Sequence, residues 1–191
     1  MRVGIIGYGV VGKTRHHSIL KNTSFTVTSI SENNSQARDE IPENMEVFED
    51  YKALIEHANI DIVFISLPNK FAANATKLSL EKGLHVFCEK PPAKTLAELE
   101  EVFLVSQQCP NLKLMYGFNH RFHHSVEQAK LIIQDNSLGR LINMRGVYGK
   151  SQMISFNQSD WRTKREESGG GILLDQGIHM LDLMRYLSGE D

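Results

Sequence analysis

The chain has 191 residues, enough for one domain and part of a second. Its 21 Lys and Arg against 23 Asp and Glu leave a net charge of −2 with no long run of one sign, which removes compositional support for a nucleic-acid or anionic-membrane surface. An apolar share of 41% with no stretch near the roughly 20 residues of a membrane span excludes a membrane protein. Met1-Arg2-Val3-Gly4-Ile5-Ile6 is too short for a signal-peptide core and is read as a first strand, so the expected location is cytoplasmic. Cys88 and Cys109 form no CxxC and have no His at ligand spacing, so reduced thiols are expected, with no disulfide and no metal.

In chain order, strands are expected at 2–6, 25–31, 46–48, 61–66, 84–88 and 112–116, with helices at 10–21, 50–57, 70–82 and 95–107 between them. Gly83 ends the third helix, and Thr95-Leu96-Ala97-Glu98 opens the fourth as a capping box. Strands alternating with helices imply an α/β domain with a doubly wound parallel sheet, ending near residue 118. Beyond it, a helix at 124–135, a turn at Asn136-Ser137-Leu138-Gly139, a strand at 141–148, a polar loop at 149–170 and a helix at 172–187 begin a second domain, 119–191.

Gly7-Tyr8-Gly9-Val10-Val11-Gly12 is a GxGxxG that leaves a strand and opens a helix. The first glycine permits a tight turn, the second lets a pyrophosphate approach the backbone, and the third lets helix and strand pack, with the phosphates on the helix N-terminus. Tyr8, Val10 and Val11 are the intervening candidates. Glu32, at the end of the second strand, is placed to accept the ribose hydroxyls; its alternative is a solvated loop acid. Asn33 and Asn34 stand where a 2′-phosphate would want Arg or Lys, so NAD is favoured over NADP, with Arg38 as the contrary signal. Ser66, Pro68 and Asn69 end the fourth strand where an open sheet holds its ligand, although an Asn in a Pro-Asn turn has a purely local reading too.

The fifth strand runs into Glu89-Lys90-Pro91-Pro92, whose prolines stiffen the turn and keep the Lys90 ammonium at the sheet edge. In the last helix Asp175 and His179 are four apart and share a face, a spacing that serves either proton transfer or a helix-stabilising pair. Gly169-Gly170-Gly171 before them suits a close backbone approach by a ligand.

These motifs, with Gly117-Phe118-Asn119-His120-Arg121-Phe122, Trp161-Arg162 and the run to Asp182, resemble the Gfo/Idh/MocA family of sugar and cyclitol oxidoreductases over the whole chain. The resemblance implies a Rossmann NAD(P)-binding domain at 1–118, then the start of an α+β domain with a large open antiparallel sheet. It implies Lys90, Asp175 and His179 as catalytic residues, Glu89 and Lys90 beside the cofactor, and Asn119, Arg121, Trp161, Arg162 and His179 along the substrate cleft. A sugar or nucleotide sugar is the implied substrate, with surface-polysaccharide dehydrogenases the most similar branch. Ala72 stands where many members carry histidine. The resemblance also implies a longer second sheet that mediates dimerisation, so the complete form is expected to be a homo-oligomer. On that basis residues 1–118 should fold and bind dinucleotide alone, strand 141–148 should pair with another copy or be poorly ordered, and the 191-residue form should turn over little substrate. The alternative to an enzyme is a nucleotide-binding regulator or inactive remnant.

Overall fold

Short apolar runs pair side by side into a parallel sheet, and each crossover carries a helix because parallel neighbours cannot be joined by a tight turn. The computed structural model describes residues 1–149 and 161–189. The order is β1 (Arg2–Ile6), α1 (Val10–Ile19), β2 (Thr26–Ser31), α2 (Ser35–Arg38), β3 (Glu46–Phe48), α3 (Tyr51–His57), β4 (Ile62–Ile65), α4 (Asn69–Glu81), β5 (His85–Cys88), α5 (Leu96–Gln108) and β6 (Leu114–Tyr116). The strands are arranged β3-β2-β1-β4-β5-β6, the doubly wound order expected for this domain. The winding reverses between β1 and β4, where Ile6 lies opposite Ile65.

Both faces of the sheet are covered, which explains why its strands are apolar throughout. Ile6, Val63, Ile65 and Val86 pack with Leu54, Leu80 and Val102 on one side, while Val3, Ile5, Val27 and Ile30 pack with Ile19 on the other. The Arg2 guanidinium forks onto Asp61 and the Arg2 N–H donates to the same carboxylate at 2.7 Å, tying the start of β1 to the start of β4. These bonds pull the Asp61 carboxyl down to about 2. Ala72, where many members of the resembling family have histidine, is buried in the core.

Helix ends follow local chemistry. Asp50 accepts from the Lys52 N–H to start α3, and Gly83, at φ +85°, closes α4. At α5 the Thr95 hydroxyl accepts from the Glu98 N–H, but Glu98 reaches back to the N–H of Lys94 and not to that of Thr95, one residue further than a capping box requires. The one-turn α2 was not expected; Asn34 caps it by accepting from the N–H groups of Gln36 and Ala37.

The chain divides into two compact units, Met1–Gly117 with Glu166–Gly169, and Phe118–Arg165 with Gly170–Asp191. The second holds a 3-10 turn (Asn119–Phe122), α6 (His124–Gln134), a second 3-10 turn (Trp161–Thr163) and α8 (Ile178–Ser188), while the single turn α7 (Arg165–Ser168) runs into the segment that rejoins the first. The strand expected at 141–148 is not formed: among the described residues nothing pairs with its backbone, and an isolated run without a ladder has nothing to hold it extended. Gly146 instead lies on α8, where a Cβ would meet Met180 Sδ at 2.9 Å. Residues 150–160 of the loop expected at 149–170 fall outside the described residues. The helix expected at 172–187 is interrupted by a π-helical turn over Leu173–Gly177 before α8 begins. No helix among the described residues is long and apolar enough to cross a membrane.

Leu54 is fully buried between α3 and the sheet, whereas Leu104 on α5 is 62% exposed. Leu54→Ala is expected to cost about 2–5 kcal/mol and Leu104→Ala about 0.5 kcal/mol or less, measured by urea denaturation. Equal costs would show that the core lies elsewhere.

Candidate active site

Gly7 leaves β1 with φ +84°, and a Cβ there would sit 2.5 Å from the carbonyl oxygen of Ser66. A Cβ on Gly12 would fall 2.0 Å from the carbonyl oxygen of Gly7, so only glycine lets α1 approach β1 this closely. Gly9 has nothing within 4 Å of its Cβ position. Among the described residues no side chain caps α1 and no acid occupies its first turn, and Val10 and Val11 are exposed there. Open backbone N–H groups on a helix N-terminus beside an unfilled glycine suit a dinucleotide pyrophosphate. The residues present therefore fit the cofactor that the motif implies.

Tyr8 turns inward. Its hydroxyl bonds the Nδ1 of His16 at 2.7 Å and its backbone N–H donates to Glu32 at 2.7 Å. Glu32 also accepts from the Asn34 N–H at 2.9 Å, so its carboxylate is fixed at the end of β2 with acceptor positions left for ribose hydroxyls. His16 was not expected in the site, although Gly12, His16 and Ile19 have the spacing of one buried helical face. Its Nε2 is buried without a partner among the described residues, and burial lowers its pKa.

At the end of β4, the Ser66 hydroxyl is buried without a partner among the described residues, and Pro68 caps α4. Asn69 is buried and donates through Nδ2 to the carbonyl of Ser168 at 2.8 Å, while Lys70 pairs with Glu167 at 3.2 Å. Asn69 thus anchors the returning segment Glu166–Gly169. Gly169, at φ +79°, brings its Cβ position within 2.7 Å of the Lys94 backbone. The close approach expected of a ligand at this glycine run is made there by the chain itself.

Glu89 and Lys90 follow β5, and the Lys90–Pro91 peptide is cis. The Glu89 N–H donates to the Ile65 carbonyl at 2.9 Å, and its carboxylate accepts from Arg15 Nε at 2.6 Å. Arg15 also lies over the Phe87 ring at 5.0 Å. Gly117 leaves room for Glu89, whose Oε2 would stand 2.7 Å from a Cβ there. Arg15 was missed because its partner is 74 residues away and no local pattern marks it.

In the second unit, His179 is buried among aromatic rings. Tyr148 lies nearly parallel to it at 5.8 Å and 8°, His120 is 4.3 Å away, and Phe118 meets it edge-on at 6.3 Å. His120 Nε2 and the Tyr148 hydroxyl are 3.2 Å apart. Arg121 forks onto Asp182, with Nε at 2.8 Å from Oδ2, and spans Phe118 and Tyr186 at 5.7 and 5.2 Å. That pair raises the Arg121 pKa and fastens the turn of Asn119 and His120 to α8. Asp175 falls within the π-helical turn, where bonds run five residues back, so its four-residue spacing from His179 no longer by itself puts the two on one face. Asp175 accepts from Gln176 Nε2 at 3.1 Å. Arg162 stacks over the Trp161 ring at 4.5 Å. Among the described residues no cluster could hold a metal ion.

Because burial lowers the His16 pKa, the unfolded chain takes up a proton near pH 6.5 that the folded chain refuses, and stability is lost as pH falls through that value. The urea midpoint should drop between pH 8 and pH 5.5, and His16→Gln should flatten that part of the profile. An unchanged slope would show that His16 does not titrate differently on folding.

Residues 1–118 match the model of the oxidoreductase family with an NAD-binding Rossmann fold, and residues 126–191 match the GFO/IDH/MocA C-terminal domain. D-glucoside 3-dehydrogenase of Escherichia coli is 33% identical over 99% of this chain and 54% of its own length. The crystal structure of myo-inositol 2-dehydrogenase from Lactobacillus plantarum superposes with a TM-score of 0.89 at 31% identity, over 100% of this chain and 57% of that one. Scyllo-inositol dehydrogenase from Lactobacillus casei, solved with bound NAD(H) and scyllo-inositol, gives 0.81 at 28% identity, over 99% and 56%. The chain spans about half the length of these relatives. With a dinucleotide cradle on a doubly wound sheet and both family models matched in order, the chain belongs to the Gfo/Idh/MocA oxidoreductases, and its first unit is the family's NAD-binding Rossmann domain.

Proposed function

We propose that the chain works in hydride transfer between a nicotinamide and a hydroxyl-bearing carbon of a sugar, nucleotide sugar or cyclitol. The observation that carries this reading is the buried His179 imidazole bracketed by Phe118, His120 and Tyr148, in a chain that also holds a dinucleotide cradle. Bound NAD supplies the hydride acceptor at its nicotinamide. His179 takes the proton from the substrate hydroxyl as general base, and Asp175 orients the imidazole and stabilises its charged form. Lys90 hydrogen-bonds the same oxygen and offsets the negative charge that develops there. Gly9 and the N–H groups at the start of α1 receive the pyrophosphate, with Gly7 and Gly12 shaping the turn that presents them, Glu32 receives the ribose, and Ser66, Pro68, Asn69 and Glu89 border the nucleotide. Asn119, Trp161 and Arg162 serve the substrate cleft, and Arg121 acts as a positioning residue through Asp182.

The relatives named as glucoside and inositol dehydrogenases support a cyclic polyol as substrate, and they disfavour a non-catalytic regulator. The same reading carries a cytoplasmic location, an open antiparallel sheet in the complete second domain, and a homo-oligomeric complete form.

In an active form of the protein, Lys90→Ala and His179→Ala should each lower kcat by about 10²–10⁴-fold while leaving NAD affinity within a few-fold. Near-normal turnover in either variant would remove that residue from the chemistry. NAD should bind more tightly than NADP, because Glu32 repels a 2′-phosphate. Glu32→Ala should weaken NAD and narrow the preference in calorimetric titration, and tighter NADP binding by the unaltered chain would overturn the assignment.

A further inference from the structure

Arg38 is the contrary signal at the nucleotide end of the sheet, and the structure shows how it is held. It closes α2, and its Nη1 donates to the carbonyl oxygens of Glu32 at 3.1 Å and Asn33 at 3.2 Å. Its Nη2 pairs with Glu49 Oε1 at 2.9 Å. Glu49 arrives there through the register of β2 on β3: Ser31 lies opposite Phe48, and the Glu32 N–H donates to the Phe48 carbonyl at 3.0 Å. The guanidinium is thus bonded to the backbone of the residue assigned to the ribose, and it is matched by the carboxylate of the residue that follows β3.

A guanidinium at this position is chemically suited to a 2′-phosphate, since its planar fork matches two phosphate oxygens. Here the guanidinium is paired with the Glu49 carboxylate, while the Glu32 carboxylate is held separately by the N–H groups of Tyr8 and Asn34, so two acids and one base stand at this end of the sheet. We propose that Glu49 is a specificity-determining residue for the cofactor, restraining and neutralising Arg38 so that the 2′-hydroxyl of NAD is accepted and the 2′-phosphate of NADP is not. The proposal rests on the reading that Glu32 receives the ribose. It assigns discrimination to a repulsive element as well as an attractive one, the usual way selectivity is built. Glu49 is itself 79% exposed, so its removal leaves the fold intact while freeing one edge of the guanidinium.

The test is calorimetric titration of the 191-residue chain with NAD and with NADP. Glu49→Gln should tighten NADP by roughly three- to five-fold, the scale of an exposed ion pair, and leave NAD within about two-fold. The gain should shrink at high salt and vanish in Glu49→Gln/Arg38→Met, a cycle that isolates the pairing from general charge. Unchanged NADP affinity in Glu49→Gln, or a gain that survives loss of Arg38, would overturn the proposal. Glu32→Ala separates the two levels. NAD affinity sensitive to Glu32 together with NADP affinity unchanged in Glu49→Gln defeats this proposal alone, whereas NAD affinity indifferent to Glu32 defeats the ribose assignment and this proposal with it.

Discussion

The carboxyl edge of the sheet depends on how closely α1 passes β1. With the Cβ position of Gly12 only 2.0 Å from the Gly7 carbonyl oxygen, any side chain would push the helix away. Much of the nucleotide side is then hung on that helix. Arg15 reaches Glu89 at the end of β5, His16 holds the Tyr8 hydroxyl, and Lys13 pairs with Glu40 after α2. A shift of α1 would therefore disturb the turn carrying Lys90 and the backbone N–H that fixes Glu32, as well as the phosphate cradle.

The second unit relies on a different device. The Arg121–Asp182 fork joins residues 61 apart, with the Asp182 side chain 7% exposed. Two parallel hydrogen bonds define direction as well as distance, which a single contact would not. Removing either partner would strand the other, so this pair contributes more to a defined arrangement of His120 beside His179 than to net stability.

Legibility in the sequence followed the range of the forces involved. Each strand of the sheet and the glycine turn could be read because β-branched runs, glycines and caps act within a few residues. The turn α2 was missed because one helical turn has no periodicity, although Asn34 carried the capping signal. Arg15 with Glu89, Asn69 with Ser168, and Glu49 with Arg38 are set by tertiary placement, so no local pattern announces them. The expected strand at 141–148 failed for the complementary reason: alternation identifies a run able to pair, but a strand exists only where another backbone accepts its hydrogen bonds. The π-helical turn at Leu173–Gly177 lies beyond a reading that assumes one helical period.

The return of Glu166–Gly169 to the first unit changes what counts as a separable piece. The chain crosses between units after residues 117, 165 and 169, so no single cut releases the first unit intact. A fragment ending at 118 would retain the sheet and lose the carbonyl of Ser168 that satisfies the buried amide of Asn69. Water reaches that amide once the covering segment is gone, so what the fragment loses is the ordered attachment of Glu166–Gly169 to α4. The four residues Glu166–Gly169 thus act as a clasp on α4, and the compact unit that holds the sheet takes in more of the chain than the continuous stretch that encodes its strands.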